Sequence, residues 1–214
     1  MAKSPKVFLI AALWFGGLNV QAQEQSPVKP SARPVSFGIV VDNSGSYRLL
    51  LERVINFTHS VAEKLNDGDE AFLVTFVDPP KTRLRQELTS EKREIYEAID
   101  NMFVEGGSSA VLDAVHFSLD HLATSVKVSD GRGLALLLVS DGDDRVSTAK
   151  LESIITAAKE SNVRIVVVGI SDEKLNTKLL DRLAKGTGGT AFYPKTAKET
   201  LAIKDEVVKA LRGN

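Results

Sequence analysis

The chain has 214 residues, 43% of them hydrophobic and 26% charged, with a formal net charge of −1 and no cysteine. That length supports one good-sized core, and a near-neutral charge without a basic, aromatic-laced patch excludes a nucleic-acid binder. The missing cysteine excludes disulfides and a thiol-linked lipid anchor.

In chain order, Lys3 and Lys6 precede an apolar run from Val7 to Leu18, followed by Val20-Gln21-Ala22. Charged, apolar and small-residue regions in that order form a secretory signal peptide over residues 1–22, and the apolar run is too short to span a bilayer. Cleavage after Ala22 leaves a net charge near −3 and a product in the periplasm or outside the cell, whereas a retained leader would act as an anchor. Residues 23–34, QEQSPVKPSARP, read as a proline-rich linker.

From Val35 to residue 212 one domain is expected. Continuous apolar runs at Val35–Val41, Ala71–Val77, Leu134–Val139 and Val163–Ile170 suit strands buried on both faces of a mostly parallel sheet. Thr82–Leu88 alternates as an edge strand does, and Thr190–Tyr193 is a weaker strand after a turn at GTGG. Three- and four-residue apolar spacing predicts helices over Leu50–Leu65, Val111–Leu122, Leu151–Ala158 and Ala197–Leu211. Strands alternating with helices make a doubly wound α/β sheet with helices on both faces and one antiparallel edge strand. Such sheets bind ligands beyond the carboxyl ends of their strands, where the strand order reverses.

Three loops carry polar side chains to that rim. DNSGS (Asp42, Ser44, Ser46) ends the first run, EGGSSAVLDAV carries Ser108 and Ser109 before a helix, and SDGDD brings Asp141 after LALLLV. Alternate residues of an extended turn point the same way, so Asp42, Ser44 and Ser46 share one side, with Gly45 allowing a bend. Carboxylates and hydroxyls without histidine or thiol form a hard oxygen set, suited to Mg²⁺ above all, or to Mn²⁺ or Ca²⁺, and disfavouring Zn²⁺ or copper. Each loop alone has a plainer reading as a turn or helix cap, with Ser46 and Asp42 both good N-cap candidates. Asp113 is assigned a structural role, Asp143 and Asp144 an outer-shell or capping one near Ser147, and Glu105 an exposed position. His59, His116 and His121 fall in helical patterns, outside the loops.

Together the loops resemble the metal-ion-dependent adhesion site of von Willebrand factor A domains, Asp-x-Ser-x-Ser followed by a Thr and an Asp from two later loops. DNSGS at 42–46 matches in full, Asp141 matches the third-loop acid, and GSSAVLDA at 107–114 aligns with GGTALYDA, placing Ser109 where Thr is usual and leaving Ser108 as its neighbour in register. TGGTAFYP at 187–194 is similar to a segment of exported bacterial members. The resemblance implies a divalent cation held by Asp42, Ser44, Ser46, Ser109 and Asp141, an open coordination position filled by an Asp or Glu of a partner protein, and no enzymatic activity. Two other readings stand beside it. A Mg²⁺-dependent phosphotransfer enzyme would also place an Asp after the first strand, but it needs a second acid where Ser44 stands. A structural domain with a degenerate metal site is the other, because of Ser109.

Overall fold

The computed structural model describes Met1 and residues 33–126 and 131–213. The leader and nearly all of the linker lie outside the described residues.

Six strands form one sheet: β1 (Val35–Asp42), β2 (Glu70–Phe76), β3 (Arg83–Thr89), β4 (Gly133–Ser140), β5 (Val163–Gly169) and β6 (Ala191–Phe192). Their order is β3-β2-β1-β4-β5-β6, parallel throughout except for the antiparallel edge strand β3. The order reverses between β1 and β4, the strands that deliver DNSGS and SDG.

Seven helices are described: α1 (Leu51–Ala62), α2 (Lys92–Asp100), α3 (Val111–Ser125), α4 (Leu151–Glu160), α5 (Thr177–Gly186), α6 (Ala197–Ala202) and α7 (Lys204–Arg212). Period-two alternation sorts the strand residues onto two cores. Phe37, Ile39, Val41, Leu137 and Val139 face α1, α2 and α7, while Val40, Val74, Leu136, Leu138 and Val167 face α3, α4 and α5. Gly38 shares the second face because Phe72 lies across it: a Cβ there would come within 2.2 Å of the ring. Overpacking at such a point costs about 1–3 kcal/mol.

The expected strands are all present, shifted by a residue or so at their ends. Two helices were not expected, α2 and α5. The single expected helix over Ala197–Leu211 is two, α6 ending and α7 beginning at Ile203 (φ −82°, ψ −1°). No described helix is long and apolar enough to cross a membrane.

Candidate metal centre

Asp42 is the last residue of β1 and fully buried. Its Oδ1 accepts the Ser44 N–H at 3.0 Å and the Ser109 hydroxyl at 3.2 Å, and its Oδ2 accepts the Ser140 hydroxyl at 3.1 Å. One carboxylate thereby ties all three loops together. The Ser44 and Ser46 hydroxyls lie 3.1 Å apart, on one side of the loop.

Neither hydroxyl caps a helix. Ser44 begins a 3₁₀ turn, Gly45–Tyr47, without a side-chain cap bond, and α1 starts after Leu50, likewise without one. The capping expectation for Ser46 is therefore corrected: it lies within the 3₁₀ turn, and Leu50 holds the N-cap position of α1. Asp42 closes a short Asx turn instead. Gly45 does not adopt a left-handed φ; its nearest neighbour is Gly106 Cα, 3.9 Å from where a Cβ would stand. Below the turn, the fully buried Tyr47 hydroxyl donates to the Ile170 carbonyl at 2.9 Å, which pins the loop to the end of β5. Burial holds that phenol well above the usual tyrosine range.

The second loop is fixed from both sides. Glu105 N–H donates to the Asn43 carbonyl at 3.0 Å, and Arg145 N–H donates to the Ser109 carbonyl at 2.9 Å. Glu105 is not an exposed loop carboxylate: it pairs with Arg85 at 2.8 Å and is largely buried, because Arg85 reaches across from edge strand β3. The start of α3 is capped from the third loop. Ser147 Oγ accepts from Leu112 and Asp113 N–H at 3.1 and 3.2 Å, and the Asp113 carboxylate returns the favour to Thr148 and Ala149 N–H at 3.0 and 2.8 Å. This reciprocal capping locks Ser109 against the Asp141 loop and gives Asp113 the structural role expected of it. Asp144 accepts from Ser147 Oγ at 2.5 Å, while Asp143 pairs with Arg145 at 2.6 Å; α4 begins at Leu151, beyond Ser147.

In the third loop, Asp141 Oδ1 accepts the Asp143 N–H at 2.9 Å. Gly142 follows with φ +76° against Leu180, where a Cβ would approach to 2.8 Å, so only glycine fits that turn. Ser44, Ser109 and Asp141 are nearly buried, Ser46 is exposed, and with Ser108 they line a cleft of about 160 Å³ whose mouth holds Asp143 and Arg145.

Charge within the site is unbalanced. Burial, with a smaller push from the nearby Asp141 charge, brings the Asp42 carboxyl up to about 6 against the hydrogen bonds from Ser44 and Ser140. Asn43 Oδ1 is buried without a donor beside this loop. Two carboxylates and three hydroxyls around one small cleft, short of positive charge, fit a hard divalent cation. The five residues named from sequence converge. Ser140, which ties Asp42 to the third loop, and Arg145 were missed; Ser140 reads as a strand end in LALLLVS, and Arg145 as loop charge. The three histidines lie elsewhere: His59 bonds Asp100 at 2.8 Å, His121 meets Phe72 edge-on at 4.7 Å, and His116 is exposed.

Residues 38–206 match the model of the von Willebrand factor type A domain. The chain belongs to that family. Among curated proteins it is 24% identical over 178 residues to the uncharacterized protein YfbK of Escherichia coli, covering 80% of this chain and 30% of that one, so it spans about a third of that relative's length. The fold is similar to a solved von Willebrand factor type A protein from Catenulispora acidiphila (TM-score 0.71, 19% identity, 84% of this chain and 43% of that one). It is also similar to BatB of Bacteroides thetaiotaomicron (TM-score 0.67, 17% identity, 82% and 98%). A third neighbour is proximal thread matrix protein 1 of the mussel byssus, solved with a zinc-occupied MIDAS motif (TM-score 0.68, 22% identity, 83% and 46%).

Proposed function

We propose that this chain is an exported, metal-dependent protein-binding module. Asp42, Ser44, Ser46, Ser109 and Asp141 would hold a divalent cation, Mg²⁺ by preference, with Mn²⁺ or Ca²⁺ as substitutes. When bound, the ion offers an open coordination position to a carboxylate of a partner protein. The observation that carries this reading is the pairing of the Ser44 and Ser46 hydroxyls: they meet one another at 3.1 Å beside the Asp42 carboxylate and cap no helix, so a plain turn-and-cap account does not explain them. The byssus neighbour supports the cation, since its own motif is described with zinc. Exposed apolar side chains close to the cleft in sequence, Leu49 at 87% and Val146 at 43%, support a protein surface as the partner. The leader over residues 1–22 supports a periplasmic or secreted location. Ser44 at the place of a phosphotransferase's second acid favours binding over turnover.

Calorimetry of the full chain with Mg²⁺ and Mn²⁺, beside Asp42→Ala, tests the proposal. Binding in the wild type that disappears in the variant is expected. Binding untouched by the substitution would refute it, and phosphoester hydrolysis lost in Asp42→Ala would turn the reading toward an enzyme.

A further inference from the structure

At the other end of the sheet, where β4 and β5 begin, a cleft of about 600 Å³ opens beside the end of α4. Arg33, Arg132, Lys159 and Arg164 line it, and among the described lining residues there is no Asp or Glu. Arg132 is engaged with Glu70 and Ser36. Arg33 donates to two neutral acceptors, the carbonyls of Gly131 and Arg132.

Arg164 has less. Its Nε–H is shut away from solvent with no acceptor, a costly state for a guanidinium. Its fork lies against Gly213, where a Cβ would come within 2.1 Å of Nη1. Burial and then the like charge of Arg33 lower its pKa from the usual arginine range. Helix-capping does not account for the cluster, because the last turn of α4 is already closed by Ser161 and Asn162 N–H donating to the Ala157 and Lys159 carbonyls. Three cations converge here with an unused donor and no described counter-charge, which is the electrostatic complement of a multiply charged anion.

We propose that this cleft binds a phosphate group, held between Arg33, Lys159 and Arg164. A guanidinium fork matches two oxygens of a tetrahedral oxyanion, and a lysine adds a point charge at the rim. The volume exceeds that of a bare phosphate and leaves room for an organic ester. The group could therefore belong to a soluble phosphate compound or to the headgroup of an anionic lipid, and the chemistry at the arginines is the same.

The test uses the full chain in chelator, which separates it from the metal centre. One arm titrates inorganic phosphate by calorimetry. The other sediments the protein with phosphatidylcholine vesicles, with and without phosphatidylglycerol. Loss of a charge-assisted hydrogen bond weakens binding roughly tenfold or more. That loss is expected for Arg164→Gln, and also for Arg33→Gln and Lys159→Gln, whose exposed side chains leave the fold intact if Arg164→Gln does not. Asp42→Ala should bind as the wild type does. A response in the phosphate arm assigns a soluble compound; a response confined to phosphatidylglycerol vesicles assigns the headgroup. No binding in either arm, or binding indifferent to Arg33→Gln and Lys159→Gln, overturns the proposal.

Discussion

Two aspartates are buried at opposite ends of this sheet, and they are provisioned differently. Asp69, just before β2, accepts Val35 N–H at 2.9 Å and Asn66 N–H at 2.7 Å, and is paired with both Nη groups of Arg212. Asp42, at the end of β1, accepts one N–H and two hydroxyls and has no ion pair among the described residues. Depth is equal; charge balance is not. A buried carboxylate with its cation built in is a structural tie between β1, β2 and the end of α7. A buried carboxylate without one, beside a second acid, carries an unmet charge that the proposed cation would balance.

Substitutions at the two positions should therefore diverge. The largest effect is expected at Asp69, where Asp69→Ala leaves Arg212 buried without its partner and should cost about 3–5 kcal/mol. Urea unfolding would measure it, and the loss should be the same with Mg²⁺ or with chelator; a Mg²⁺-dependent loss would erase the distinction between the two ends. At Asp42 the sign reverses in chelator. The folded-state value of about 6 lies above the ordinary aspartate value of 3.8, so the folded chain holds an extra proton between them. Metal-free stability should fall as pH rises through that window and stay low above it, by about 3 kcal/mol in all. Asp42→Asn should accordingly be more stable than the wild type in chelator at pH 7.5, and equal or weaker below pH 4, by unfolding at several pH values.

Mg²⁺ itself comes next. At a hundred times its dissociation constant it should stabilise the wild type by about 2.7 kcal/mol and Asp42→Asn by almost nothing, read as a shift in the unfolding midpoint. Smallest is Ser46→Ala. Its side chain is exposed and caps nothing, so metal-free stability should stay within about 0.5 kcal/mol. The same variant should bind Mg²⁺ several-fold more weakly by calorimetry.

Much of this was legible in the sequence because the signal was local. Apolar runs at Val35–Val41 and Leu134–Val139 mark the two central strands, and the polar residues that end them fall at the switch point as expected. The unexpected helices are short and sparsely apolar: α2 buries only Ile95 and Ile99, and α5 only Leu180, Leu183 and Ala184. So few positions do not establish a period. What sequence could not reveal are pairings between distant residues. Asp69 meets Arg212 across 143 positions, Asp113 caps Thr148 across 35, and Ser140 reaches Asp42 across 98. Each is an ordinary polar residue until the sheet brings its partner alongside, and the unpaired Nε–H of Arg164 is evident only once its surroundings are in place.

The proposed role of Asp42, a buried acid awaiting a cation, is tested most directly by following its carboxyl with carbon-13 NMR across a pH titration. In chelator the midpoint should lie near 6, and saturating Mg²⁺ should drive it below about 4. A midpoint at the ordinary aspartate value in chelator, or one that Mg²⁺ leaves where it was, would contradict the account.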